Sequence, residues 1–332
     1  MFTVELINGK KFQAKVNEPL LDAAARAGIR LNYSCKTGRC SSCKCRVISG
    51  KADTLQDAIG LDAQEKSEGW ILSCISAATI NMVLEAEDLG DFCVPDAKTL
   101  PCRISQIDFL APDVVRVFLR FPPTADFQFL PGQYVDVIGP GGIRRSYSLA
   151  NADFLNRQLE LHIRKVDGGA MSNYWFSQAK PNDLLRINGP LGTFFLRGVQ
   201  GTDLIFLATG TGIAPIKSML ASIDSMPAKN RPRSIHIFWG GRTPDDFYIK
   251  PESAVEIQNW NFVLSREHPG WQGIRGYVQD AVLNSTIELK QAMVYACGSD
   301  AMIQSAKQSL TNAGLPAKSF YSDAFVSSNN IN

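Results

Sequence analysis

No apolar run in these 332 residues is long enough to cross a bilayer as a helix, so no membrane segment is expected. Neither sign of charge dominates. The 34 Lys and Arg nearly balance 32 Asp and Glu, and a net charge of +2 gives no ground for strong nucleic-acid binding. Histidine is scarce: His162, His236 and His268 show neither metal-ligand nor nucleophile–base spacing. His162 stands in Glu160-Leu161-His162-Ile163-Arg164, where a satisfied structural role is expected. Internal repeats and low-complexity tracts are missing too, apart from a polar tail from Ser327. Met1-Phe2-Thr3-Val4-Glu5-Leu6 alternates like a strand and lacks the basic region and apolar core of a secretory signal. A cytoplasmic address is therefore expected, where thiols stay reduced. The composition, 45% hydrophobic and 20% charged, is that of an ordinary globular protein, and the length suits two or three domains.

Cysteine carries the strongest signal. Cys35, Cys40 and Cys43 spell Cys-x4-Cys-x2-Cys, and Cys74 follows at a distance. That is the spacing of a plant-type 2Fe–2S ferredoxin, in which three thiolates on one loop and a fourth from elsewhere hold two irons. Gly38, Ser41 and Ser42 are small enough to let backbone N–H groups approach the cluster. The competing readings are a structural zinc site or disulfides. Zinc sites usually pair their ligands in both halves, whereas Cys74 is alone in Trp70-Ile71-Leu72-Ser73-Cys74-Ile75. Of the remaining four, Cys45, Cys93 and Cys102 are expected to be small core residues.

Along the chain, residues 1–94 form a first unit, with a strand pair around Asn8-Gly9-Lys10 and a short helix from Glu18 to Gly28. The cluster loop and a strand from Cys45 to Gly50 follow. Residues 95–101, with two prolines and no periodicity, are expected to be a linker. From 102 to 198 the text alternates, as in Val114–Arg120 and Gln133–Ile138, the signature of a small antiparallel barrel. From 199 to 326 strands alternate with helices: Leu204–Thr209, a helix from Pro215, Ile235–Trp239 and Met293–Cys297. That pattern argues a parallel α/β sheet. Residues 327–332 are left as the tail.

Two motifs stand in the second unit and two in the third. Arg145-Ser146-Tyr147-Ser148 closes a barrel strand, and Gly168-Gly169-Ala170-Met171-Ser172 opens a helical stretch. Glycines at a helix N-terminus favour an anion such as a pyrophosphate. Gly210-Thr211-Gly212-Ile213-Ala214-Pro215 joins a strand to a helix, with Pro215 where the dinucleotide fingerprint has a third Gly or Ala. Cys297-Gly298-Ser299 ends a later strand, at the edge where α/β sheets bind ligands.

Taken in this order, the motifs resemble the ferredoxin-NADP reductase superfamily, in its group of NAD(P)H-dependent flavin/iron–sulfur reductases with an N-terminal ferredoxin. The likeness also rests on Gly132-Gln133-Tyr134, on Gly189-Pro190-Leu191-Gly192-Thr193-Phe194-Phe195, and on Phe320-Tyr321-Ser322-Asp323-Ala324-Phe325. It implies a β-grasp ferredoxin domain, an antiparallel β-barrel FAD domain and a parallel α/β nicotinamide-nucleotide domain. It implies three cofactors: a 2Fe–2S cluster, FAD, and NADH or NADPH. Cys35, Cys40, Cys43 and Cys74 would hold the cluster. Arg145 would pair with a flavin phosphate, with Ser146 beside it in the motif; Tyr147 would stack on the flavin and Ser148 would bond near its reactive nitrogen. Gly169, Met171 and Ser172 would hold the pyrophosphate. Gly210, Thr211, Gly212 and Pro215 would form the nicotinamide-nucleotide turn, with Cys297 and Gly298 beside the ring and Phe325 near the flavin. Ser148, Cys297 and Phe325 are the catalytic candidates. Many relatives carry Glu where Asp323 stands, so that role transfers less directly.

The chemistry joins a two-electron donor to a one-electron carrier, and flavin is the cofactor that serves both. Members of the group feed a pyridoxamine-phosphate-dependent sugar dehydrase of dideoxysugar biosynthesis or a Rieske or di-iron oxygenase component, and the likeness favours the first. A zinc-stabilised binding module is the reading from another class. Coenzyme choice turns on Arg242, which could meet a 2′-phosphate, and on Asp245 and Asp246, which would repel one, so NADH is favoured. Lys36, Arg39, Lys44 and Arg46 crowd the cluster loop, a basic rim that would suit an acidic partner.

Overall fold

Alternating residues at the start of the chain make a hairpin. In β1 (Phe2–Leu6) and β2 (Lys11–Ala14), Val4, Leu6, Phe12 and Ala14 are buried, and Gly9 takes a φ of +85° in the turn. The computed structural model describes residues 1–250 and 257–325; the expected tail, 327–332, lies outside them. Helix α1 (Leu20–Arg26) is shorter than its text implied, running from Pro19 at the cap position to Gly28, whose φ of +78° stops it. The remaining strands of this unit are β3 (Lys44–Ser49), β4 (Ala52–Thr54), β5 (Trp70–Leu72), β6 (Ser76–Ala78) and β7 (Met82–Glu85), with α2 (Ala63–Ser67) between β4 and β5. The main sheet runs β2-β1-β7-β3-β5, with β1 parallel to β7 and its other pairs antiparallel, while β4 pairs with β6. Residues 1–94 have their own core, built on Leu6, Leu20, Leu72 and Leu84.

Residues 95–325 cluster as a second unit. Six antiparallel strands come first: β8 (Lys98–Ala111), β9 (Val114–Arg120), β10 (Tyr134–Ile138), β11 (Arg144–Ser148), β12 (Gln158–Arg164) and β13 (Leu184–Leu191). Their order is β11-β10-β13-β8-β9-β12, and a bridge between Leu149 and Leu161 brings the first edge to the last. The linker expected over 95–101 needs correction, because Lys98 to Pro101 already belong to β8 and pair with Gly189 to Arg186 of β13. Pro101 is tolerated because β9 pairs with β8 only from Arg103 onward, so one side of the strand is open there. A four-residue helix, α3 (Ala170–Asn173), and a wider turn over Tyr174–Gln178 separate β12 from β13.

The rest is a parallel sheet of β14 (Asp203–Thr209), β15 (Ser234–Gly241), β16 (Gln258–Leu264), β17 (Ile274–Arg275), β18 (Ala292–Ser299) and β19 (Phe320–Phe325). Helices α4 (Ile213–Asp224), α5 (Val278–Leu283) and α6 (Asp300–Asn312) connect them. The order β17-β16-β15-β14-β18-β19 reverses between β14 and β18, which makes the carboxyl ends of those two strands the switch point. Strand β14 is a continuous apolar run because both faces of a parallel sheet are covered. Helix α4 starts at Ile213, two residues before Pro215, which sits in its first turn where no intrahelical donor is needed.

Leu119 of β9 is fully buried in the barrel core. Leu119→Ala is expected to destabilise the barrel by about 2–5 kcal/mol, while Leu119→Met should cost less than about 1.5 kcal/mol. Urea unfolding of the full chain, followed by release of bound flavin, measures the difference; equal midpoints for the two variants would contradict this packing.

Candidate functional site

The four cluster cysteines form two pairs, Cys35 with Cys40 and Cys43 with Cys74. Backbone N–H groups of Cys35 and Cys40 each point to the other residue's sulfur at 3.4 Å, and the Thr37 N–H points to the Cys35 sulfur at 3.3 Å. Cys43, just before β3, lies 3.2 Å sulfur to sulfur from Cys74 in the β5–β6 turn. The loop manages this by left-handed turns at Lys36, Gly38 and Ser41. Gly38 is required, since a Cβ there would come within 2.6 Å of Ile75. The hydrogen bond from Cys40 and the N–H donors outweigh burial and bring the Cys35 thiol down to about 5. Cys40 moves the other way as its partner, and in the second pair Cys43 is raised while Cys74 is lowered. Two sulfur pairs ringed by N–H donors fit a two-iron cluster, one pair to each iron. Cys45 faces the core from β3 instead, where burial raises its thiol to about 12.

The expected basic rim is not bare. Lys36 pairs with Asp22 at 3.3 Å, Lys44 with Glu65, and Arg46 donates to the Glu68 carbonyl at 3.1 Å. Acids of the two helices, remote in sequence, match Lys36 and Lys44, while Arg46 reaches only a carbonyl.

In the barrel, Arg145 and Tyr147 alternate onto one face of β11, and Ser146 and Ser148 onto the other. Ser146 donates to Asp136 at 2.6 Å, and Ser148 is buried opposite Tyr134. Trp175 donates from its indole to the Tyr147 hydroxyl at 2.9 Å, so the strand face and the segment after α3 meet. Burial raises the Tyr147 phenol to about 12, keeping it neutral. Gly169 caps α3, where a Cβ would come within 3.1 Å of the Val166 carbonyl. Ser172 Oγ accepts from the Val166 N–H at 2.8 Å, and Met171 packs where a Cβ on Gly139 would be. A cavity of about 390 Å³ opens here, lined by Lys165, Gly168, Gly169, Ser172 and Phe176. The glycine-lined cavity beside a helix start, with an arginine and an anchored tyrosine on the neighbouring strand, fits a dinucleotide-type flavin.

At the switch point, Gly210, Thr211 and Gly212 form a single turn of 3-10 helix between β14 and α4, and Cys297 and Gly298 end β18 beside them. A Cβ on Gly212 would lie 2.1 Å from the Cys297 carbonyl, and one on Gly298 would lie 2.1 Å from Thr209 Oγ1. This backbone-lined crevice fits a nucleotide phosphate. Cys297 differs from expectation: its thiol is fully buried in the core, and burial together with Asp323 on β19 raises it well above the ordinary range. It does not present itself to a ligand in this conformation. Asp323 is likewise buried, while Phe325, opposite Ser299, is exposed at the strand end.

Asp246 also needs correction. Rather than facing a coenzyme phosphate, its carboxylate takes Arg164 at 2.6 Å and the N–H groups of Arg242 and Thr243 at 2.7 and 3.0 Å. Asp245 and Arg242 stay exposed. The reading of the motifs missed Glu160 and Lys217, which pair at 2.7 Å between β12 and α4. Its trace in the text is the strict alternation of Leu159-Glu160-Leu161-His162-Ile163-Arg164. His162 is satisfied, held by Glu160 at 2.8 Å and Tyr248 at 3.3 Å. Because a carboxylate only accepts, the Glu160 contact puts the proton on Nε2 and leaves Nδ1 to accept from Tyr248.

Comparison with known proteins bears on the whole chain. Residues 5–79 match the 2Fe-2S iron-sulfur cluster binding domain, 101–196 the oxidoreductase FAD-binding domain and 206–308 the oxidoreductase NAD-binding domain. The chain is 41% identical over 325 residues to the CDP-6-deoxy-L-threo-D-glycero-4-hexulose-3-dehydrase reductase of Yersinia pestis, covering 97% of each. It is 30% identical over 332 residues to the reductase component of phenol 2-monooxygenase from Pseudomonas sp. (strain CF600), covering 96% of this chain and 92% of that protein. Among solved structures, an Amycolatopsis cytochrome P450 reductase superposes with a TM-score of 0.72 at 26% identity, over 98% of this chain and 99% of the other.

The buried pair on β12 makes stability pH-dependent. Burial lowers His162 from 6.5, so its contribution is complete above 6.5 and is lost as pH falls through the lower folded value. Burial alone would raise Glu160, but His162 and Lys217 outweigh it and bring it from 4.5 to about 2. Its contribution, up to roughly 3 kcal/mol, is present above 4.5 and fades toward 2. Urea midpoints taken from neutral to acidic pH should fall in both windows, and Glu160→Gln should flatten the lower one. A wild-type midpoint independent of pH there would contradict the ion pair.

Proposed function

The chain belongs to the ferredoxin-NADP reductase superfamily, in the group of NAD(P)H-dependent flavin/iron–sulfur reductases with an N-terminal ferredoxin, and from that premise we propose that it serves a pyridoxamine-phosphate-dependent sugar dehydrase as a CDP-6-deoxy-3,4-glucoseen reductase. It is an oxidoreductase that passes electrons from NAD(P)H through FAD and a 2Fe–2S cluster to a partner enzyme. The observation that carries the choice of partner is the similarity itself: 41% over nearly the full length to a dehydrase reductase, against 30% to an oxygenase reductase component. No described helix is long and apolar enough to cross a membrane, and the eight free cysteines suit the reducing cytoplasm.

When bound, FAD supplies the step between a hydride donor and a one-electron carrier. The chain's part is placement. We assign Cys35 with Cys40, and Cys43 with Cys74, to the two irons. Arg145 would meet a flavin phosphate, with Ser146 holding the strand through Asp136. Tyr147, fixed by Trp175, would flank the ring, and Ser148 would donate near it. Gly169, Met171 and Ser172 would line the pyrophosphate site. The Gly210-Thr211-Gly212 turn, braced by Pro215 and Gly298, would receive the nicotinamide nucleotide. Phe325, exposed at the end of β19, would lie near the flavin. Cys297 would act from beneath, shaping the strand end. With Asp246 withdrawn, Asp245 is left to oppose a 2′-phosphate, and NADH remains the favoured donor.

Cys74→Ser is expected to lose iron and visible cluster absorption while FAD content holds, because residues 1–94 have a core of their own. Cys45→Ala should keep both. Iron and flavin analysis of the purified variants checks this, and full iron in Cys74→Ser would overturn the ligand assignment.

For the partner, the protein with NADH should support deoxysugar formation by the dehydrase on its CDP-6-deoxyhexulose substrate. Rieske or di-iron oxygenase components should be reduced more slowly under the same conditions. Efficient coupling to an oxygenase with none to the dehydrase would reverse the choice.

A further inference from the structure

A barrel strand normally turns its polar face to water. Strand β12 buries both faces: Leu159, Leu161 and Ile163 enter the barrel core, while Glu160 and His162 are buried on the opposite side and Arg164 is half-buried there. Each of these three polar side chains meets a residue of the nucleotide-binding half. Glu160 takes Lys217 of α4 at 2.7 Å, His162 meets the Tyr248 hydroxyl at 3.3 Å, and Arg164 donates to Asp246 at 2.6 Å. Lys217 also donates to the Ala150 carbonyl at 3.2 Å, and Ser218 to the Asn151 carbonyl at 2.7 Å.

All three contacts lead to one place. Lys217 lies in the helix that the Gly210-Thr211-Gly212 turn opens. Tyr248 packs edge-on against Trp239 at 5.3 Å between ring centroids, and the Trp239 indole donates to the Gly210 carbonyl at 3.0 Å. The Arg164 guanidinium lies 3.6 Å from where a Cβ on Gly210 would be. On the other side, the bridge from Leu161 to Leu149 joins β12 to the residue that follows Ser148. One strand therefore touches both half-sites.

We propose that the polar face of β12, through Glu160–Lys217 and His162–Tyr248, is the positioning device that sets the nicotinamide turn against the flavin barrel for hydride transfer. It rests on the reading that the Gly210 turn receives the nicotinamide nucleotide. Fixed, partly buried polar pairs suit this task because they hold a direction as well as a distance, which apolar packing alone does not. No side chain of this face needs to touch the coenzyme. Its effect is on alignment, where a displacement of about 1 Å can cost roughly 10²-fold in rate.

The test measures NADH oxidation with ferricyanide, per bound FAD, in Lys217→Met, Glu160→Gln, Tyr248→Phe and Lys217→Arg. Lys217→Met and Glu160→Gln should lower kcat by about tenfold or more, with KM for NADH within about twofold and FAD content unchanged. Lys217→Arg should recover most of the rate, and Tyr248→Phe, which removes one hydroxyl, should still slow turnover by about threefold should the larger changes impair folding. Unchanged kcat per FAD in Lys217→Met and Tyr248→Phe overturns the proposal, as does a loss explained wholly by missing FAD. Gly212→Ala separates the underlying reading: its Cβ would strike the Cys297 carbonyl, so NADH turnover must suffer. A silent Gly212→Ala removes the turn from the nucleotide site and the proposal with it; an impaired Gly212→Ala beside a silent Lys217→Met removes the positioning role alone.

Discussion

Strands β14 and β18 can end side by side only because glycine stands at both crossings. Gly212 leaves no room for a Cβ against the Cys297 carbonyl, and Gly298, at a φ of +149°, leaves none against Thr209 Oγ1. Each turn presses on the strand end of the other. The contact starts α4 at Ile213, lets the Ser299 N–H reach Thr209 Oγ1 at 3.2 Å, and lines the switch-point crevice with backbone rather than side chains. In the proposed nucleotide site such a surface would let a phosphate approach closely, since neither glycine carries a side chain to hold it off. The burial of the Cys297 thiol follows from the same geometry, because the strand end turns its backbone, not its sulfur, toward the crevice.

Seven of the eight cysteines show how one side chain serves two ends; Cys93, expected in the core, is exposed instead. In each sulfur pair one thiol is lowered and its partner raised: the hydrogen bond from Cys40, with backbone N–H donors, brings Cys35 down to about 5, and Cys74 is lowered beside Cys43. Cys45 and Cys102 sit among apolar side chains that raise theirs to about 12, and Cys297 is raised further. Hydrogen bonding within each pair favours one thiolate, whereas burial in an apolar core favours the thiol that packs.

Charge is used locally throughout. Lys36 and Lys44 beside the cluster are matched by Asp22 and Glu65 from the two short helices, and Asp246 is absorbed by Arg164 and two backbone N–H groups. The Lys36–Asp22 pair is exposed and contributes little to stability, whereas the Lys44–Glu65 and Arg164–Asp246 pairs are partly buried. Of the four basic residues at the cluster loop, Lys36 and Lys44 are matched by acids and Arg46 by a backbone carbonyl.

The sequence by itself determined whatever depends on neighbours along the chain. The spacing of Cys35, Cys40 and Cys43 specifies one loop, with the glycine that lets it fold. The run Val114–Arg120 is a strand at those same bounds, and Gly210-Thr211-Gly212 joins a buried strand to a helix. Tertiary structure decided the rest. Lys98 to Pro101 became strand because β13, more than eighty residues on, offers a ladder that their irregular text does not announce. Asp246 left the coenzyme site because Arg164, 82 positions away, reaches it. Cys297 faces the core rather than the ligand because its carbonyl, not its sulfur, meets the Gly212 turn. Glu160 and Lys217, 57 residues apart, became a pair only when a second domain covered a face that alternation alone would leave in water. Local spacing encodes backbone turns and ligand sets, because those involve few residues and short loops. Which polar groups are buried, and against what, depends on surfaces that exist only after distant segments pack.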